Sequence, residues 1–354
     1  MLEKEKIFAN AFNQSLQIGT AGLGKIRKYF DGFKNAWTAS FSEIKKASEL
    51  KKLEEFRNKI NPEKEFEILE KENIKVLLKQ ELPPLLKEIY LPPEILYIKG
   101  ELPCEDKIHL TVVGPRKFSS YGKEACEKII GELKEHDFVI VSGLAQGIDS
   151  IAHNSALNNQ MQTIAVLGNG LHDSAIYPYR NIGLAHNIVK NSGCIISEYP
   201  LMMKAAQFTF PQRNRIAAGL SQGTLVIEAA EKSGSLITAF LALESNREVF
   251  AIPGNIFSMN SKGANNLLKM GGLPVTKADD ILRAFGIEEK VDEKQIEINL
   301  SPNENKIISL LVDPMERDEL IRKIKMPPQE VNPLLMQMEI RGIIKEIENK
   351  IFKI

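Results

Sequence analysis

The chain has 354 residues, 43% of them hydrophobic, with 46 basic and 46 acidic side chains. That length and apolar content suit two or three domains with buried cores. Zero net charge excludes binding driven by overall charge, so any electrostatic site must come from local clustering. Cys104, Cys126 and Cys194 are far apart and form no CxxC pair, which argues against a disulfide frame or a zinc site. The opening MLEKEKIFAN is charged and lacks a signal-type apolar stretch. No apolar run approaches the ~18 residues of a membrane span. A soluble, cytoplasmic protein is expected.

Residues 1 to 80 are rich in Lys, Glu and Leu and predict a helical domain. Within it, LQIGTAGLGKIRKYFDG (16 to 32) carries four glycines and predicts two short helices joined by a glycine turn. Such a hairpin can grip a phosphate backbone through turn amides, or be an ordinary helix connection. SELKKLEEFRNK (48 to 59) predicts a solvated helix face. The prolines of LPPLLKEIYLPPEILYIKGELP (82 to 103) mark residues 81 to 106 as a connector.

From residue 107 to 285 the pattern changes. IHLTVVG (108 to 114), FVIVSG (138 to 143), TIAVLG (163 to 168), CIISEYP (194 to 200), TLVIEAA (224 to 230) and VFAIPG (249 to 254) are short apolar runs. Helical stretches such as YGKEACEKIIGELKEH (121 to 136) and SLITAFLALESN (235 to 246) separate them. This alternation predicts a parallel sheet covered on both faces, with ligands beyond the carboxyl ends of its strands. A charged linker (286 to 300) leads to a third unit (301 to 354). SPNENKIISLL, ERDELIRKI and PQEVNPLLMQMEIRG read as helices and IIKEIENKIFKI as a ribbon, which together suggest a winged helix. Residues 107 to 285 hold 17 basic and 14 acidic residues; residues 286 to 354 hold 11 and 14. The acidic winged helix is thus poorly suited to a phosphate backbone, and a protein partner or regulatory docking fits it better.

The strand ends carry the chemistry. In GPRKFSSYG (114 to 122), Gly114 permits a tight turn, Arg116 and Lys117 flank it, and Ser119 or Ser120 can cap the next helix. In SGLAQGIDSIAH (142 to 153), Gly143 and Gly147 allow a ligand close to the backbone. Asp149 and His153, four apart, are either an acid/base pair or a structural bond that fixes the loop. GNGLHDSAIYPYRN (168 to 181) lacks the third glycine of a dinucleotide fingerprint, which weakens a nicotinamide reading. Its Tyr177, Tyr179 and Arg180 could stack on or pair with nucleic acid, or simply pack. In FPQRNRIAAG (210 to 219), Arg213 and Arg215 flank Asn214 at a helix start. Lys232, Ser233, Gly234 and Ser235 form a second anion cradle ahead of another helix. There is no GxxxxGK[ST] and no metal-ligand cluster among five histidines, so neither a P-loop ATPase, a metal nor a cofactor is expected.

VVGPRKFSSYG, VSGLAQGIDSIAH, TIAVLGNGL, SEYP, FPQRNRIAAGLSQGTLVIEAAEKSGSLITA and VFAIPG, in that order, resemble the core of the DNA-processing protein A (DprA/Smf) family over about residues 108 to 285. The resemblance implies a Rossmann-like core that binds single-stranded DNA, forms a homodimer and interacts with RecA recombinase, which the family helps to load onto incoming DNA during natural transformation. It implies no catalytic activity. By position, Arg116 would bind phosphate. Arg213, Arg215, Lys232 and Ser233 to Ser235 would complete a basic pocket. Phe210 would stack on a base, and Asn214 would bond a base edge or brace the loop. One departure is Pro115, where the family has a small polar residue. It has no N–H to donate, which throws more weight on Arg116. An alternative of another class is a phosphoribohydrolase related to the lysine-decarboxylase-like family. The chain lacks that family's compact PGGxGTxxE stretch, and Glu228 is the carboxylate to test in that role.

Overall fold

The computed structural model describes residues 2–15, 18–40, 42–43, 56–287, 300–311, 314–341, 343–347 and 350–353. The chain divides into two compact units, Met1–Ile287 and Glu288–Ile354. Residues 48–55 of the expected solvated helix face, and 288–299 of the expected linker, lie outside the described residues.

The first unit is built on a nine-stranded sheet. Its strands are β1 (Ile74–Leu78), β2 (Ile95–Gly100), β3 (Ile108–Val113), β4 (Phe138–Ser142), β5 (Thr163–Val166), β6 (Cys194–Ser197), β7 (Gly223–Val226), β8 (Glu248–Ala251) and β9 (Leu273–Pro274). The order is β1-β2-β6-β5-β4-β3-β7-β8-β9. From β6 to β9 every pairing is parallel, and β4 to β7 are buried throughout, as strands covered on both faces must be. All six predicted core strands are present. Sequential order runs outward from β3 on both sides, so the topological switch point lies between β3 and β7.

The proline-rich connector is corrected. Its residues 95–100 form β2, which pairs antiparallel with β6, and β1 then pairs antiparallel with β2. Alternating apolar residues at 74, 76 and 78 carry a strand pattern within a segment dominated by Lys and Glu. The helices α1 (Leu2–Asn13), α2 (Thr20–Phe30), α3 (Phe33–Thr38) and α4 (Pro62–Lys71) pack on this end of the sheet. Phe12, Leu23, Ile26 and Phe33 join Val76, Tyr97 and Ile195 in one core. The buried Tyr97 hydroxyl donates to Asn10 Oδ1 (2.8 Å) and accepts from Asn13 Nδ2 (3.1 Å).

At the glycine-rich segment two short helices are joined by a glycine turn, α2 and α3 meeting at Gly32 (φ +131), but its middle glycines play another part. Residues 16 and 17 lie outside the described residues, and Gly22 and Gly24 sit inside one continuous helix, α2. A Cβ on Gly24 would lie 2.9 Å from a carboxylate oxygen of buried Glu94, so this glycine provides close approach rather than a turn. Arg27 and Lys79 neutralise Glu94 at 2.6 and 3.5 Å.

Eight further α-helices among the described residues complete the unit: α5 (Pro84–Glu88), α6 (Ser120–Glu132), α7 (Ile148–Asn158), α8 (Ile182–Lys190), α9 (Thr209–Leu220), α10 (Gly234–Glu244), α11 (Lys262–Lys269) and α12 (Ala278–Ala284). Among the described residues no helix is long and apolar enough to cross a membrane.

The second unit has α13 (Pro302–Leu310), β10 (Met315–Glu316), α14 (Arg317–Ile324), α15 (Pro328–Ile340), β11 (Ile344–Ile347) and β12 (Lys350–Lys353). The strands pair in the order β10-β12-β11, adding a short third strand to the expected ribbon. Ile307, Leu320, Val331, Leu335 and Ile351 form its core, and this is a winged helix.

Candidate nucleic-acid interface

A cleft of about 350 Å³ opens at the carboxyl ends of β3 and β7, the switch point of the sheet. Its walls are the turn after β3, the loop after β4, the first turns of α9 and the N-terminus of α10. Each wall is shaped by a local sequence feature.

The loop after β4 is over-determined. Asp149 Oδ2 accepts from the backbone N–H of Gly143 (3.1 Å) and Ala145 (3.4 Å). Asn181 Nδ2 donates to the Leu144 carbonyl (2.8 Å), and Ser150 Oγ to the Ala145 carbonyl (2.6 Å). These bonds hold Leu144 at φ 57, a left-handed conformation that Leu adopts only under constraint. Gly147 has φ +90, and a Cβ there would collide with the backbone of Pro115 and Arg116. The Pro115 carbonyl accepts from Ile148 N–H at 3.3 Å, tying the β3 turn to the start of α7.

Asp149 is therefore the loop's anchor. Its expected helix-face partner points elsewhere. Thr163 Oγ1 donates to the Ile140 carbonyl (2.6 Å) and accepts from His153 Nδ1 (2.7 Å), so the imidazole is locked away from Asp149. Burial, reinforced by the Arg213 charge, lowers the His153 pKa to about 3. Burial pushes the Asp149 carboxyl upward, opposed by Arg213 and the two amides.

Arg213 forms the floor. It is 5% exposed, Nη1 donates to the Val166 carbonyl (2.6 Å), and Nε has no partner among the described residues. Burial lowers its pKa from the ordinary value and Asp149 pulls it back up. Arg116 is exposed at the rim, its guanidinium carbon 5.9 Å from the centre of the Phe210 ring. Asn214, Phe210 and Gly143 line the same cleft, as do Ser233, Gly234 and Ser235. Ser233 caps α10, accepting from Ser235 N–H, so the positive end of that helix faces the cleft.

Not every expected residue is brought together. Arg215 is not in the cleft wall. It lies on the other side of α9, where Nη2 meets Glu198 Oε2 at 2.6 Å, and that carboxylate also accepts from Thr20 Oγ1 (2.9 Å). Lys117 and Lys232 are exposed and outside the lining; the Lys117 carbonyl accepts from Asn260. Arg213 and Arg215 alternate in sequence but stand about 200° apart on a helix, so both cannot face one cavity. Sequence reasoning missed Asn181 and gave Asp149 no definite part. The spacing Asp149–Ser150, two residues into a helix after a glycine loop, was the available signal.

Glu228 is buried at 2% exposure, and both its oxygens are engaged: Oε1 by Ser119 Oγ (2.5 Å), Oε2 by Ser119 N–H (3.0 Å). It braces the N-terminus of α6 and does not line the cleft.

With this geometry in hand, comparison with known proteins is decisive. The family model for DNA recombination-mediator protein A matches residues 73–286, and that of the DprA winged helix domain matches residues 292–348. The chain belongs to the DNA recombination-mediator protein A family. Within this family it is 38% identical over 275 residues to Protein Smf of Escherichia coli K12, covering 75% of this chain and 73% of that one. It is 44% identical over 200 residues to DNA processing protein DprA of Streptococcus pneumoniae, covering 56% and 70%. The solved structure of the pneumococcal protein superposes with TM-score 0.66 at 33% identity, over 79% of this chain and 97% of that one. DNA processing protein A of Helicobacter pylori, in a structure that concerns its single-stranded DNA binding mode, gives 0.54 at 28% identity, over 60% and 95%.

Proposed function

We propose that this chain binds single-stranded DNA in the switch-point cleft, protects incoming DNA and loads RecA recombinase onto it during natural transformation, acting as a homodimer in the cytoplasm. The observation that carries the reading is Arg213, a buried cation in the lining of the cleft whose Nε has no partner among the described residues. A buried cation is costly to leave uncompensated, and a phosphate in the cleft offsets its charge. Arg116 at the rim and the α10 N-terminus supply a second and third attraction for the same anion. Phe210, half-buried between Arg116 and the cleft, gives a base a ring to stack on, worth about 1–3 kcal/mol. The Helicobacter pylori relative's single-stranded DNA binding supports the ligand class.

The hydrolase alternative needs a free carboxylate beside the ligand. Glu228 is committed to Ser119, and Asp149 to two loop amides. A binding function fits both.

The test is fluorescence anisotropy with labelled oligo-dT, single-stranded and duplex, over a salt series, for the wild type and Arg116→Ala. Tight, salt-sensitive binding of the single strand that weakens severalfold in the variant supports the cleft. Equal binding by both proteins overturns it.

A further inference from the structure

Beside the cleft lies a smaller slot of about 90 Å³. The two cavities share Arg116, Gly143, Ala145 and Phe210, so they abut. The slot's remaining walls are Gln146, Tyr177 and Pro178. We propose that this slot receives one unpaired nucleobase of the strand whose phosphate occupies the cleft, with Gln146 bonding the base's polar edge. This rests on the single-strand reading above and adds where a base goes and what reads it.

The chemistry of the walls separates the two cavities. The cleft has a buried cation and a helix N-terminus. The slot has two rings and a proline, and its sole charge is Arg116, whose guanidinium already lies by Phe210. Such walls suit a flat, weakly polar ring rather than a phosphate. Tyr177 and Phe210 have centroids 6.0 Å apart, inclined at 52°. The two rings thus touch each other and form one continuous aromatic wall, along which a base in the slot meets both. Tyr177 is 48% exposed, so its ring is poorly used in packing and available to a ligand. The Gln146 amide has no hydrogen-bond partner among the described residues. It offers a donor and an acceptor together, the pair that matches adenine N7 and N6 or the imide edge of thymine. Its neighbours on the loop, Ala145 and Gly147, are fixed by Asp149 and by the Pro115 turn, so the amide is presented from a rigid base.

The experiment compares oligo-dT, oligo-dA and an abasic deoxyribose-phosphate oligomer by anisotropy, for wild type, Tyr177→Ala, Tyr177→Phe and Gln146→Ala. Wild type should bind both base-bearing strands more tightly than the abasic one. Tyr177→Ala should weaken oligo-dT by about tenfold and leave the abasic strand within about twofold, while Tyr177→Phe stays near wild type. Gln146→Ala should shift the dA-to-dT affinity ratio by about threefold or more, again sparing the abasic strand. Thermal unfolding of each variant checks that the fold is intact. If Tyr177→Ala weakens all strands alike, or none, the slot is not a base site. An unchanged dA-to-dT ratio removes Gln146 from the proposal. If wild type binds none of the strands, the single-strand reading itself fails; if it binds all three equally, only the slot does.

Discussion

The guanidinium of Arg213 lies directly against Gly143: a Cβ at position 143 would overlap both Nη1 and Nη2. The glycine of one strand end thus makes room for the arginine of another element, and the floor of the cleft depends on both.

Gly143→Ala should therefore displace the arginine. We expect a loss of about 1–3 kcal/mol of stability from overpacking, seen as a lower midpoint in urea unfolding. Single-strand affinity should fall with it, measured by anisotropy below the unfolding range. Wild-type affinity in this variant would show that the arginine's position is immaterial to binding.

Arg116 is exposed, so its replacement tests charge without disturbing the core. Arg116→Ala should weaken oligo-dT severalfold and lower the slope of log affinity against log salt by about one. Arg213→Ala should bind poorly too, but it also strips Asp149 of its neighbouring cation, so a stability loss of several kcal/mol is expected with it. Arg213→Lys separates the two effects by keeping the charge.

Stability should fall as pH falls below neutrality. His153 is held neutral by burial and by Arg213, with a pKa of about 3 against about 6.5 in the unfolded chain. Between those values the unfolded chain takes up a proton that the folded chain refuses. The slope from this one site is about 1.4 kcal/mol per pH unit. His109, lowered chiefly by burial, adds to the same window. Urea unfolding at pH 7, 6 and 5 should show the loss, and His153→Gln should reduce its slope without removing it.

Glu228→Ala should destabilise the protein by about 1–3 kcal/mol, because the part-buried N–H and hydroxyl of Ser119 lose their acceptor. Chromatography of nucleoside monophosphates incubated with wild type should show no free base. Base release that disappears in Glu228→Ala would restore the hydrolase.

Deleting residues 288–354 should leave most of the single-strand affinity. The long helix of the winged unit, α15, contains Glu330 and Glu339 and no Lys or Arg. A loss of more than about tenfold on deletion would assign phosphate contacts to that unit.

The sequence made the central sheet legible because each parallel strand is a short apolar run ending in a small residue, and β3 to β8 fall where those runs fall. It made the cleft's glycines, Arg116 and the α10 start legible for the same reason: strand ends of such sheets are where ligands sit. β1 and β2 were hidden, since Lys75 and Lys99 alternate with apolar partners in segments whose composition speaks of helix and connector. Gly24 misled because packing against Glu94 and turning the chain both call for glycine. The direction in which Arg215 points was hidden as well. Adjacent cations in a motif look like one cluster until helical geometry divides them, and the partner that claims Arg215, Glu198, sits at a distant strand end.

That division has a mechanical meaning. α9 carries Arg213 on its cleft side, and on its opposite side Arg215 is clasped by Glu198 and, through it, by Thr20 of the second helix. A fragment starting at residue 73 would keep every residue of the cleft and lose part of that rear brace. The opening helices thus act as an abutment for the very helix whose other face carries Arg213 into the cleft.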